Sequence, residues 1–236
     1  FGKINLLDAT AHSVNTVFVP LGMKAGVDKV VDVARRAGIP SSIEMWATPS
    51  VSLGVASPHV IDVANSYATF AANGVYAKPF IVKEVLGSNQ GVLYESRIQA
   101  QQVFASNVMS DLTYALQGVV KYGTGTAAAA GLGRPVAGKT GTGQDLGRNK
   151  NGTAKDDTSW FASFAPASNP QYAVIMVVSQ GGFGATTSAV GVRDIYSEIF
   201  GVTGGKIDPT KSAFPNGIPT GLPKLDVKNA TLDGTK

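Results

Sequence analysis

This chain has no cysteine, only two histidines, and few charges: Asp, Glu, Lys and Arg make up 15% of its residues. The missing cysteines exclude disulfides and thiolate metal sites. The two histidines, His12 and His59, argue against a histidine-built metal centre, and no metal or organic cofactor is expected. A cysteine-free chain fits an extracytoplasmic protein without requiring one. Long apolar runs are lacking as well. The longest, Ala173–Val178, is far too short to span a bilayer. No signal peptide is visible and Phe1 is not a natural start, so the chain reads as a processed piece, with any membrane anchor upstream. A further absence is chemical: no serine is followed three residues later by a lysine.

What is there is ordinary for a packed protein. The 236 residues suffice for one large domain or two small ones, and 44% of them are apolar. The net charge of +4 is modest. Basic residues are scattered apart from Arg148, Lys150 and Lys155, and no aromatic–basic stripe appears, which argues against nucleic acid as a partner.

Apolar periodicity predicts a helix from about Leu6 to Phe18, stopped by Pro20 and Gly22. A second helix carries Val27, Val30, Val31, Ala34 and Ala37 and closes at Gly38. Residues 39–58 are turn-rich. Ser57-Pro58 reads as a helix cap followed by proline at the first helical position. The helix it opens is expected to bury Val60, Val63, Ala64, Tyr67, Phe70 and Ala71 and to end at Asn73-Gly74. Residues 79–95 read as a hairpin turning through Gly87–Gly91. Another helix spans Ser106 to Tyr122. Strands follow at Val136–Thr142, Ser159–Ala165 and Tyr172–Ser179. The last, continuously apolar, is expected in the sheet centre with both faces covered. A closing helix runs from Val190 to Phe200. Gly, Pro, Lys and Thr then dominate, so Gly201–Lys236 reads as a loosely packed tail after a domain of residues 1–200.

The most informative stretch is Val136-Ala-Gly-Lys139-Thr140-Gly141-Thr142-Gly143. Small residues let a ligand lie against the backbone, and an amide beside a fixed ammonium suits an anionic substrate. Upstream stands Ser13-Val14-Asn15. Serine–lysine acyltransferases carry three signatures, Ser-x-x-Lys, Ser-x-Asn and Lys-Thr-Gly. The last two occur here in order and at domain-scale separation. Pro49-Ser-Val-Ser-Leu-Gly54 and Ala64–Gly74 intervene, and Trp160-Phe161 follows on the next strand.

Over about residues 4–200 the chain resembles the later part of a penicillin-binding protein transpeptidase domain. The resemblance implies an α/β (α+β) fold of the β-lactamase/transpeptidase type, an antiparallel sheet flanked by helices with a helical subdomain beyond the cleft. This chain would supply only part of it. The implied activity is D,D-transpeptidation of peptidoglycan stem peptides through a serine acyl-enzyme, with β-lactams acylating the same serine. The implied location is the extracytoplasmic face of the bacterial membrane. Lys139 would pair with the substrate carboxylate, with Thr140 and Thr142 adding hydrogen bonds. The Thr142 amide, in the Gly141-Thr142-Gly143 stretch, would form half of the oxyanion hole. Ser13 would bridge Lys139 and the general base, and Asn15 would hold the substrate amide and that base. The nucleophile, the base and the first strands would come from a companion polypeptide. The intervening stretches look closer to bifunctional synthases of class A than to monofunctional ones.

Other readings compete. A serine β-lactamase or a non-catalytic sensor of β-lactams or wall peptides would share the architecture. Gly133-Arg-Pro-Val-Ala-Gly-Lys-Thr140 also matches a phosphate loop, which requires a preceding strand and a helix opening at the lysine. Here the flanks are a poor strand and a poor helix. His12 beside Ser13 suggests a Ser-His relay, but no Gly-x-Ser-x-Gly elbow accompanies it and adjacent residues point apart. Trp160 and Phe161 read mainly as packing residues, and Asp156-Asp157 as a solvated turn.

Overall fold

In the computed structural model, which describes residues 2–212 and 227–228, the chain turns sharply at its first motif. Helix α1 (Leu6–Ala11) starts where Asn5 Oδ1 accepts the Asp8 N–H at 2.8 Å. It ends in paired bonds: Ser13 N–H to Thr10 O and Val14 N–H to Ala9 O. That is a Schellman closure, and it puts Ser13 in the left-handed region at φ 56°. Helix α2 (Asn15–Ala25) then begins afresh, with Pro20 inside it. The expected single helix from Leu6 to Phe18 is therefore two. It breaks at Ser13 and not at Pro20, because the backbone bonds of the closure outweigh an apolar periodicity that runs straight across it.

Helix α3 (Val27–Ala37) closes as predicted at Gly38, φ 128°. A 3-10 turn at Pro49–Leu53 packs against α2 and α3, and these pieces form the helical side of the molecule. Helix α4 (Val60–Ala71) starts two residues later than Ser57-Pro58 predicts. Asp62 reaches back to accept the His59 N–H, which makes His59 the cap. Within α4, Val60 is exposed, whereas Ser66 and Thr69 are buried. Their hydroxyls turn back onto helix carbonyls, and Thr69 also reaches Ala37 O at 3.0 Å. Strands β1 (Val75–Ala77), β2 (Glu84–Leu86), β3 (Val92–Glu95) and β4 (Ala100–Gln102) follow. β2 and β3 make the predicted hairpin, and β1 pairs antiparallel with β4. Helix α5 (Ser106–Lys121) buries Met109, Leu116 and Val119.

The main sheet consists of β5 (Ala137–Gly143), β6 (Thr158–Ala165) and β7 (Tyr172–Val178), antiparallel in the order β5-β6-β7. Helix α6 (Ser188–Phe200) closes the layer. Side chains alternate along each strand, so each face has its own core. On one face Phe161 joins Val192, Tyr196 and Phe200 of α6. On the other, Ala137 and Phe164 meet Leu116 of α5 and Tyr67 and Phe70 of α4. The sheet is thus sandwiched between helices, as expected. Among the described residues the strand predicted to be central is not. β6 occupies the centre, and β7 is an edge, half-buried along its whole length. Continuous apolar character marks two covered faces; it does not reveal whether both hydrogen-bonding edges are filled.

Past the expected boundary at Gly201 the chain continues as a small hairpin of β8 (Val202–Thr203) and β9 (Lys206–Ile207). Ser212 Oγ donates to Ile199 O, and β10 (Val227–Lys228) runs parallel to β4. The rest of the expected tail lies outside the described residues. Among the described residues no helix is long and apolar enough to cross a membrane.

Candidate active site

Lys139, Thr140, Gly141, Thr142 and Gly143 lie on β5, an edge strand of the main sheet. Glycines bring this strand close to its neighbour. A Cβ on Gly138 would stand 2.7 Å from both Ala162 O and the Ser163 Cβ, so only glycine fits there without displacement. Lys139 is half-buried, and its Nζ donates to Thr140 O at 3.0 Å. Burial lowers its pKa to about 8, because the ammonium loses hydration without gaining a carboxylate partner among the described residues. It is therefore a cation poised to accept an anionic ligand.

Strand alternation separates the lysine from the two threonines. Lys139 shares its face with Ala162 and Trp160, whereas Thr140 and Thr142 share the face of Phe161 and Ser159. Thr142 Oγ1 accepts a long bond, 3.5 Å, from the Gly184 N–H in the loop before α6. Thr140 Oγ1 lies 2.6 Å from Thr124 Oγ1, in the turn after α5. That turn holds the other motif. The Thr124 N–H donates to Ala11 O at 3.0 Å, two residues before Ser13. The approach requires glycine at 123, where a Cβ would come within 2.1 Å of Ala11 O.

Among the described residues no hydrogen bond joins Ser13 or Asn15 directly to Lys139; the connection runs through Gly123-Thr124. Asn15 is exposed as the first residue of α2, and Ser13 is half-buried at the α1–α2 corner. A left-handed serine costs about 1–2 kcal/mol relative to glycine, and such strain often accompanies function. Sequence reasoning missed Thr124. Its signal was Gly123-Thr-Gly125, the same triplet as Gly141-Thr-Gly143. His12 is exposed, with its ring 6.4 Å from that of Tyr122. Phe161 is fully buried, as its packing role predicts, while Trp160 is only partly covered beside Gly141.

The phosphate-loop alternative does not survive. Lys139-Thr140 sits inside a β-strand and opens no helix. The backbone N–H fan of a helix start, which would cradle a phosphate, is therefore absent at this lysine. An apolar groove of about 550 Å³ between α3, α4 and α5 contains none of the motif residues.

The antiparallel sheet between helices, with an edge strand carrying Lys139, Thr140 and Thr142, is of the transpeptidase fold type. The family comparison agrees: the model for the "Penicillin binding protein transpeptidase domain" matches residues 1–199, and the chain belongs to that family. Penicillin-binding protein 1A of Aquifex aeolicus is 31% identical over 70% of this chain and 21% of its own length. The peptidoglycan D,D-transpeptidase PbpA of Mycolicibacterium smegmatis is 30% identical over 76% of this chain and 39% of its own. The crystal structure of the D,D-transpeptidase domain of a peptidoglycan glycosyltransferase from Eggerthella lenta superposes with a TM-score of 0.69. It is 28% identical, over 84% of this chain and 54% of that one. The chain thus spans well under two thirds of the length of these relatives. The likeness to a 1A-type protein accords with the class A expectation.

Proposed function

We propose that this chain forms the strand-side wall of a serine D,D-transpeptidase. That enzyme cross-links peptidoglycan stem peptides on the extracytoplasmic face of the membrane. The observation that carries this is the seating of Lys139, Thr140 and Thr142 on an open sheet edge, with the Ser13–Asn15 corner tied to the same strand through Thr124. An edge strand offers backbone N–H and C=O groups that no described strand takes up, which suits a peptide laid alongside it.

In the reaction, a serine attacks the carbonyl of the penultimate D-alanine of the donor stem peptide. The terminal D-alanine leaves as its amine, and the amine of a neighbouring peptide then resolves the ester. The terminal carboxylate lies along the outer edge of β5 against the Thr140 and Thr142 hydroxyls, and the Lys139 ammonium, held from the other face at the Thr140 carbonyl 3.0 Å away, supplies the positive charge that draws it there. The Thr142 amide faces the developing oxyanion; a donor of that kind is worth about 2.7–4 kcal/mol. Ser13 relays the proton toward the leaving amine, and Asn15 holds the acyl-side amide. The serine and its base belong to a companion segment, since no Ser-x-x-Lys occurs in the 236 residues. The open outer edge of β7 is where a companion strand would pair.

The test is labelling by fluorescent penicillin of this chain assembled with a segment bearing Ser-x-x-Lys, followed by transpeptidation of a D-Ala-D-Ala peptide onto an added amine. Covalent labelling with transfer supports the proposal. Labelling with rapid hydrolysis and no transfer would make the protein a β-lactamase, and labelling without turnover of peptide would make it a sensor. No labelling at all overturns the acyl-enzyme.

A further inference from the structure

We infer that Thr124 is a positioning residue for carboxylate recognition, acting through the hydroxyl of Thr140; this rests on the transpeptidase assignment above. Among the described residues the hydrogen bonds of Thr124 go to Ala11 O and to the Thr140 hydroxyl, and none goes to Lys139. Its backbone is fixed first. The N–H is committed to Ala11 O at 3.0 Å, and the glycine before it lets α1 press against the turn. The side chain then stands 2.6 Å from Thr140 Oγ1, at the short end of the range for paired hydroxyls.

Each threonine hydroxyl has one proton to give and two lone pairs. If Thr140 gives its proton to Thr124, it presents only lone pairs to the cleft, and a carboxylate is repelled. If Thr124 gives its proton to Thr140, the Thr140 proton is free to point at the ligand, and accepting a bond strengthens it as a donor. A bound carboxylate therefore selects the second arrangement, Thr124 to Thr140 to ligand. Without Thr124 the Thr140 hydroxyl rotates freely, and binding must fix it. The same residue ties the Ser13 corner to the carboxylate-binding strand through a single turn. The ligand class follows from the chemistry: a substrate or β-lactam with a free carboxylate.

The experiment compares penicillin G with its methyl ester, each competing against fluorescent penicillin for the assembled protein. The ester keeps the ring and lacks the charge, so the ratio of acylation rates, acid over ester, reads carboxylate recognition alone. Thr124→Val keeps the shape and the backbone bond. We expect it to lower acylation by the acid about tenfold, as loss of one positioned hydrogen bond does, and to leave the ester unchanged. Thr124→Ser restores the ratio. If Thr124→Val fails to fold, as judged by its melting transition, Thr124→Ala gives the same reading. An equal fall for acid and ester, or an unchanged ratio, overturns the inference and leaves the transpeptidase assignment standing. A wild-type assembly that penicillin does not label overturns both.

Discussion

The two edges of the main sheet are built from opposite materials. β5 reads Ala-Gly-Lys-Thr-Gly-Thr-Gly; β7 reads Tyr-Ala-Val-Ile-Met-Val-Val. Both pair with β6 on one side and with no described strand on the other. β5 carries the devices that blunt an edge against another chain: a charged lysine and glycines that weaken strand pairing. β7 has none. It is β-branched, uncharged and half-buried throughout, which makes it a template for a further strand. The contrast assigns each edge a different guest. A short peptide end carrying a carboxylate suits β5, and a full companion strand suits β7.

The largest expected effect falls on β5. Lys139→Met removes the ammonium while keeping the side-chain length. Acylation by penicillin in the assembled protein should fall about 100-fold or more, in the range seen when one transition-state donor is lost. Association of the chain with its companion should not change. Loss of assembly instead of acylation would mean that both edges serve the same purpose. The converse substitution is on β7. Val177→Lys places a charge on the apolar edge strand, opposite Trp160. The isolated chain is expected to self-associate through this edge, and the substitution should shift it toward monomer in sedimentation velocity. Thr142→Val on β5 should leave the sedimentation profile alone. An isolated wild-type chain that stays monomeric and well folded would break the comparison.

How much of this was legible from residues alone can be judged on the same strands. The positions of β5, β6 and β7 followed from the change to a two-residue period, because side-chain alternation is local. Which strand lay in the centre did not. Phe161 and Ser163 of β6 are mixed apolar and polar yet wholly buried, since Ser163 bonds Tyr196 and Val174 O. A serine satisfied by a partner 33 residues away leaves no local trace. The Ser13–Asn15 and Lys139–Gly143 motifs were visible as patterns, but their connection was not. It depends on a tertiary contact between Gly123 and Ala11 that no periodicity encodes. The break at Ser13 was hidden for the opposite reason. Left-handed residues are usually glycine or asparagine, and a serine there looks like any helical serine.

Glycine substitutions along β5 probe how much of its openness is packing and how much is ligand access. Gly138→Val would drive side-chain atoms into Ala162, Ser163 and the Phe161 ring. Thermal denaturation should show a loss of about 1–3 kcal/mol, as overpacking does. At Gly143 the nearest atoms to an added Cβ are 3.8 Å away. Gly143→Ala should therefore change stability by no more than about 0.5 kcal/mol. Any loss of acylation in that variant would then report on the ligand path. Equal destabilisation at both ends of the strand would show that β5 is packed against something along its full length.

The smallest effect is a pH signature near neutrality that β5 has and β7 does not, since the one ionisable residue of β7, Tyr172, is pushed upward by burial. Burial holds Lys139 near a pKa of about 8, against 10.5 when exposed. Between these values the unfolded chain binds a proton that the folded chain has lost, so stability should rise with pH from about 8 toward 10.5. Below about 8 both states are protonated, the burial penalty is fully present, and the contribution is flat. Tyr67, Tyr172 and Tyr196, whose pKa values burial raises above 10.0, act in the opposite sense only once the unfolded tyrosines begin to ionise. The window between about 8 and 9.5 therefore belongs to the lysine. Urea denaturation across it should show a rising midpoint in the wild type and a flat one in Lys139→Met. Carboxylate binding should run the other way, weakening as the ammonium is lost above about 8. A midpoint that falls through this window would mean that Lys139 keeps its proton, and that β5 holds its cation by some contact other than the Thr140 carbonyl.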